Sequence, residues 1–208
     1  MPILTNTTNL EASLEPDNTF WQDSARTTSA SSTDPVGSWD DDSGNSNHFT
    51  EGTTSNKPTL GSSLVSFDGG DTLANSAIGT LATAKADLTM YMLVEVSSFA
   101  TNRRLFQFTN GSHYLNVYFS SGGLPTMQAI GSTTVGVGGT TLSTGTKYIF
   151  TVRVDGTNAY LYVDGTLDIT VALPTTLTLN NLYLMNSRFK SQGLSGDVIC
   201  FYYFHYIF

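Results

Sequence analysis

The chain has 208 residues and a formal net charge of −8, and only 12% of its residues are charged. That length buries the core of one ordinary domain, and an acidic balance with no basic stripe interleaved with aromatics excludes nucleic acid as a partner. No stretch approaches the length of a membrane span, no basic segment followed by an apolar run marks an export signal at the N-terminus, and the single Cys200 has no partner for an intrachain disulfide.

Ser and Thr make up about a quarter of the chain, and Glu, common on helix surfaces, occurs only at Glu11, Glu15, Glu51 and Glu95. An all-β protein is expected. Residues 1–60 are polar, punctuated by Pro2, Pro16, Pro35 and Pro58, and show no sustained period, so they predict an arm over 1–15 followed by long ordered loops. From Leu64 the pattern changes to short alternating apolar runs, beginning with "SLVSFDGGD", and residues 16–208 are taken as one folded domain. The segment "LANSAIGTLATAKAD" leaves room for a turn or two of helix. Met90 to Val96 is apolar on both faces except at Glu95, which predicts a central, covered strand.

Further along, Tyr148, Phe150, Val152 and Val154 fall on one face of a half-buried strand. The run "AYLYVDGTLDIT" predicts two strands joined at Asp164-Gly165 by a type I′ turn. The C-terminal run "LSGDVICFYYFHYIF" is too rich in aromatics to be a solvated tail. Alternation puts Phe201, Tyr203, His205 and Ile207 on one face and Tyr202, Phe204, Tyr206 and Phe208 on the other. Both faces need cover, and a second layer or a neighbouring subunit must supply it, so a homo-oligomer is expected.

The densest polar stretch is "WDDDSGNSNHF", Trp39 to Phe49. Asp40, Asp42 and Glu51 stand at positions 1, 3 and 12 of an EF-hand-like loop, but Gly44 at position 5 has no side-chain oxygen and Asn45 replaces the glycine of position 6. The structural alternative has Asp42, Ser43 and Asn45 capping their own backbone, Gly44 or Asn45 supplying positive φ, and Trp39 anchoring the loop in the core. A bound cation at Asp40 and Asp42 and a glycan contact are the other readings. His113 and His205 sit in alternating runs without a Cys or carboxylate at metal-ligand spacing. Tyr114, Tyr118, Tyr160 and Tyr162 lie on predicted strands and offer aromatic platforms for a sugar.

Taken in order, "DPVGSWDDDSGNSNH" (Asp34 to His48), Lys57-Pro58-Thr59, "FDGGD" (Phe67 to Asp71), "VRVDGTNAYLYVDGTL" and "LSGDVICFYY" resemble the laminin G-like, concanavalin A-like lectin/glucanase domains found in bacteriophage structural proteins and bacterial surface proteins. The resemblance covers roughly residues 10–205. It implies a jelly-roll sandwich of two antiparallel sheets with the last strand returning beside the first. Relatives often begin with an apolar strand, but "TNLEASLEPDN" lacks that pattern, so residues 1–15 are expected to reach a partner as an arm. Calcium at a sandwich edge in some relatives makes Asp68 and Asp71 further metal candidates, against the plainer reading of a strand ending in an Asp-Gly turn.

Retaining glucanases of this fold carry two glutamates on one strand in an E-x-D-x-x-E pattern. That pattern is absent, as are G-x-S-x-G and H-E-x-x-H, and no enzymatic activity is expected. The resemblance implies a non-enzymatic virion component, a head decoration, fibre or tail-associated subunit docked on capsid or tail proteins and able to bind surface glycans. The alternative is a secreted or cell-surface lectin module acting outside the cell.

Overall fold

The computed structural model describes residues 9–76, 78, 88–129, 134–173 and 179–205. Among these there is no α-helix; the strands are β1 (Leu10–Leu14), β2 (Phe20–Trp21), β3 (Ser38–Trp39), β4 (Phe49–Thr50), β5 (Thr59–Leu60), β6 (Val65–Asp68) and β7 (Leu73–Asn75). They continue with β8 (Leu88–Ser98), β9 (Arg103–Thr109), β10 (Tyr114–Phe119), β11 (Pro125–Ala129), β12 (Thr134–Val137) and β13 (Lys147–Val154). The last are β14 (Asn158–Val163), β15 (Thr166–Ala172), β16 (Asn181–Leu184) and β17 (Ser195–His205).

The strands form two antiparallel sheets packed as a sandwich, the architecture expected from the alternating runs. One sheet runs β15-β14-β13-β8-β17-β6-β5, with β1 also on β17; the other runs β12-β11-β10-β9-β16-β7-β4-β3-β2. Aromatic rings join the layers: Phe49 meets Phe201 at 5.5 Å, Phe119 meets Phe150 at 5.8 Å and Phe108 meets Tyr203 at 6.4 Å between centroids. Edge-to-face pairs of this kind add to what the buried area already contributes.

β8 is central, as its apolar faces predict, with Met90, Met92, Val94 and Val96 in the core. In β13, Phe150, Val152 and Val154 are buried on the predicted face. Asp164 (φ 48°) and Gly165 (φ 79°) close the β14–β15 hairpin in a two-residue turn with both residues at positive φ, as a type I′ turn requires. Leu73–Asn75 is strand β7; the rest of the stretch considered for helix lies outside the described residues except Ser76 and Ile78.

Two expectations need correction. Residues 10–14 are a strand and not an arm: β1 pairs with β17 from Leu10–Phe204 to Leu14–Phe201, and Leu10, Ala12 and Leu14 are buried. The loop over residues 40–47 covers the other edge of β1, which is why so weak a strand sequence settles there. Residues 1–8 lie outside the described residues. Second, the aromatic C-terminal strand finds cover within its own chain. Phe201 and Tyr203 are in the core, while Tyr202 and Phe204 are buried on the opposite face with Leu10 and Cys200 and with the half-buried Tyr91 and Leu93. Of the two sources of cover expected, the chain's own residues supply it on both faces, so these aromatics do not by themselves call for a neighbouring subunit. Residues 206–208 and the side chain of His205 lie outside the described residues.

Candidate functional site

The Asp-rich loop is built around Asp41, the one aspartate of the three not singled out by the cation pattern. Its carboxylate accepts the amides of Ser13 (2.7 Å), Ser43 (2.9 Å) and Asn47 (2.8 Å) and the Ser43 hydroxyl (2.8 Å). Ser43 and Asn47 in turn donate to the Glu11 carbonyl, and Asn45 Nδ2 donates to the Leu10 carbonyl at 2.8 Å. These bonds satisfy the outer edge of β1, which would otherwise present unpaired backbone groups. Gly44 (φ 91°) and Ser46 (φ 59°) carry the positive φ that closes the loop, and Trp39 is fully buried with Nε1 donating to the Glu15 carbonyl.

Asp40 accepts from Trp21 Nε1 at 2.8 Å and lies 3.4 Å from the Arg26 guanidinium. His48 Nδ1 accepts the Asp41 amide at 3.0 Å, which leaves no proton there to share with Asp40, 3.3 Å away. Asp42 is exposed, and Glu51 is buried in an ion pair with Lys190 at 2.6 Å. Asp40 and Glu51 thus turn to different partners, and Asp42 is exposed. Asp68 and Asp71 do meet, at the end of β6: Asp71 accepts the Asp68 amide at 2.9 Å, and Asp68 accepts the Gly70 amide at 2.7 Å. Burial, aided by the Asp68 charge and opposed by that amide bond, raises the Asp71 carboxyl to about 6. Among the described residues no three His, Cys, Asp or Glu side chains converge as a cation would require.

The arrangement with the most unmet chemistry is the outer face of the nine-stranded sheet. Cross-strand register places Gln107, Asn116 and Gln128 side by side, with Tyr183 beyond Gln107. Tyr114 and Tyr118 share that face with Asn116, while Leu115, Val117 and Phe119 fill the core. A β-bulge at Leu105 shifts the register, so that Arg104 stands opposite Tyr118 on the outer face and Leu105 and Phe106 are both buried.

Asn116 is fully buried, yet neither end of its amide has a hydrogen-bond partner; nor do Nε and Nη1 of Arg104. Leaving such groups unpaired costs about 1–3 kcal/mol each, more for a charged one, which marks them out among the buried polar groups of the sheet. Burial pulls the Arg104 guanidinium below its ordinary value, with the nearby Tyr114 and Tyr118 opposing the shift. The loop after β16 edges the same face: the Arg188 amide donates to Gln107 Oε1, its guanidinium donates to the Gly111 carbonyl, and Phe189 beside it is 69% exposed.

Of the four tyrosines singled out from sequence, Tyr114 and Tyr118 belong to this face. Tyr160 and Tyr162 lie on the outer side of the other sheet, where Tyr160 is held by Asp155 at 2.7 Å and by Arg153 over its ring. The four do not form one platform. His113 sits in the β9–β10 turn, its amide capped by Asn110. Sequence reasoning missed Arg104, Asn116 and Gln107; the polar alternation in "YLNVY" was the available sign of Asn116.

With fold and site in hand, the comparisons agree on class. The laminin G-like profile of the concanavalin A-like lectin/glucanases superfamily matches residues 67–205, about two thirds of the chain, and the chain belongs to that superfamily. No curated protein sequence matches it. Among solved structures, the chain is similar to a sialidase of Trypanosoma rangeli, solved with a difluoro-KDN ligand, at 11% identity and a TM-score of 0.70 over 96% of this chain. It spans only 31% of that sialidase. It is also similar to domain 4 of AbnA, an extracellular GH43 arabinanase of Geobacillus stearothermophilus, solved with arabinotriose, at 15% identity and a TM-score of 0.64. That match covers 95% of this chain and 92% of the domain.

Proposed function

We propose that the protein is a non-catalytic carbohydrate-binding module whose saccharide lies on the outer face of the nine-stranded sheet, across β9, β10 and β16. The observation that carries this reading is Asn116, buried with a donor and an acceptor both unsatisfied on a face flanked by Tyr114 and Tyr118. An amide that offers one donor and one acceptor matches a sugar hydroxyl pair, and tyrosine supplies apolar area with a polar tip. The lectin/glucanase family and the likeness to a domain solved with arabinotriose favour this over a virion component, which has no comparable support. Hydrolysis is not part of the proposal, because the paired glutamates used by glucanases of the fold are missing.

The test is a glycan array with hits measured by calorimetry. The wild-type chain should bind at least one oligosaccharide, and Asn116→Leu should abolish binding while leaving stability unchanged or raised, since an apolar side chain of similar size removes the unsatisfied groups. Absence of any saccharide binding, or binding indifferent to Asn116→Leu, refutes the reading.

A further inference from the structure

A neutral sugar needs only the amide and the tyrosines. Arg104 is the surplus. Its guanidinium is a planar fork of donors, and two of its nitrogens, Nε and Nη1, are buried without a partner. In a chain of net charge −8, the usual fate of a half-buried arginine is an ion pair. Among the described residues, Arg26 pairs with Asp40 and Lys190 with Glu51, whereas neither Arg104 nor Arg188 lies in such a pair. Among the described residues, these two guanidinium groups along one sheet face thus have no carboxylate partner. Arg188 is positioned there by the backbone, through its amide on Gln107 and its side chain on the Gly111 carbonyl.

We propose that the saccharide bound on this face carries a carboxylate, as in a uronic acid or a sialic acid, which pairs with the Arg104 fork while the Asn116 amide takes an adjacent hydroxyl. This deepens the carbohydrate-binding reading and rests on it. A carboxylate is planar with two acceptor oxygens at the spacing of adjacent guanidinium donors, so it pairs with Nη2 and one of the two unpartnered nitrogens, Nε in a side-on approach or Nη1 in an end-on one. The bulge at Leu105 is what turns Arg104 to this face; regular pairing would have aimed it into the core with Phe106 and Phe108. The two nitrogens have no exposed surface, so a ligand reaches them only when a neighbouring side chain moves; Tyr118, half-buried and directly opposite in register, is placed to do so by turning outward. In that position its ring is free to stack on the sugar.

The experiment compares acidic saccharides with their neutral counterparts by calorimetry: trigalacturonate against its carboxyl-reduced form, and sialyllactose against lactose. At least one acidic member should bind about tenfold or more tighter at low salt, and the preference should shrink at roughly 1 M salt as screening grows. Arg104→Gln should erase the preference while retaining the weaker neutral binding, and Arg104→Lys should recover only part of it, because an ammonium lacks the fork. Thermal melts of both variants verify that they are folded. If the neutral members bind as tightly as the acidic ones, if Arg104→Gln keeps the preference, or if sulfated galactose oligomers bind in place of both carboxylates, this assignment is overturned and the carbohydrate-binding reading stands. If no saccharide of any kind binds, both are overturned.

Discussion

Asp41→Ala isolates the contribution of the Asp-rich loop. The substitution strips four donors of their acceptor: the amides of Ser13, Ser43 and Asn47 and the Ser43 hydroxyl. Ser43 is half-buried, so its two groups recover water; Ser13 and Asn47 are buried and do not. A hydrogen bond to a charged acceptor is worth about 1.5–3 kcal/mol. Two such losses predict a destabilisation of about 3–6 kcal/mol, or roughly 6–24 °C in melting temperature for a domain of this size. Asp42→Ala is the internal control: that side chain is exposed, and its removal should change stability by less than about 0.5 kcal/mol. Urea unfolding of the three proteins gives the free energies, and hydrogen exchange should show faster amide exchange in Leu10–Leu14, because the loop closes the edge of that strand. A loss below about 1 kcal/mol in Asp41→Ala, or an equal loss in Asp42→Ala, would refute the view that Asp41 holds loop and strand together.

Trp39→Ala should cost about 3–5 kcal/mol, as expected for a fully buried large aromatic; millimolar calcium should leave the melting temperature of the wild-type protein nearly unchanged, and a large calcium-dependent rise lost in Asp42→Ala would reassign the loop to a metal. Asp71→Asn should raise stability at pH 7.5 but not at pH 4. The folded carboxyl titrates near 6, so between about pH 4 and 6 it keeps a proton that the unfolded chain has released, and stability falls as pH rises through that window. Equal effects at both pH values would contradict this. Cys200 is buried and its thiol is pushed up to about 11 by burial, so iodoacetamide at pH 8 should label it only on unfolding; rapid labelling of the native protein would show that the β17 cluster is open.

Much of the sandwich was legible because its strands obey a strict two-residue alternation. The faces of β13, the central place of β8 and the Asp164-Gly165 turn follow from side-chain period and backbone sterics alone. β1 was not legible: "LEASL" has little β preference, and what holds it is β17 on one edge and, on the other, a loop some thirty residues away. Asp41 was missed for a local reason. Asp40 and Asp42 fitted a cation-loop spacing, whereas continuing the alternation from the buried Trp39 would have made Asp41 the buried member. The sheet-face site was hidden more deeply, since alternation puts Arg104 on the same side as Phe106 and Phe108, and only the bulge at Leu105 brings it beside Tyr114 and Tyr118.

The most direct measurement of where the saccharide sits is an NMR titration of the isotope-labelled chain with the strongest hit from the glycan array. The account predicts that the perturbed amides cluster on β9, β10 and β16 and in the loop from Ser187 to Gly193, with the Asn116 side-chain amide and the Arg104 Nε proton among the largest shifts. Perturbations confined to the loop from Asp40 to Asn47, or to the outer face carrying Tyr160 and Tyr162, would contradict it.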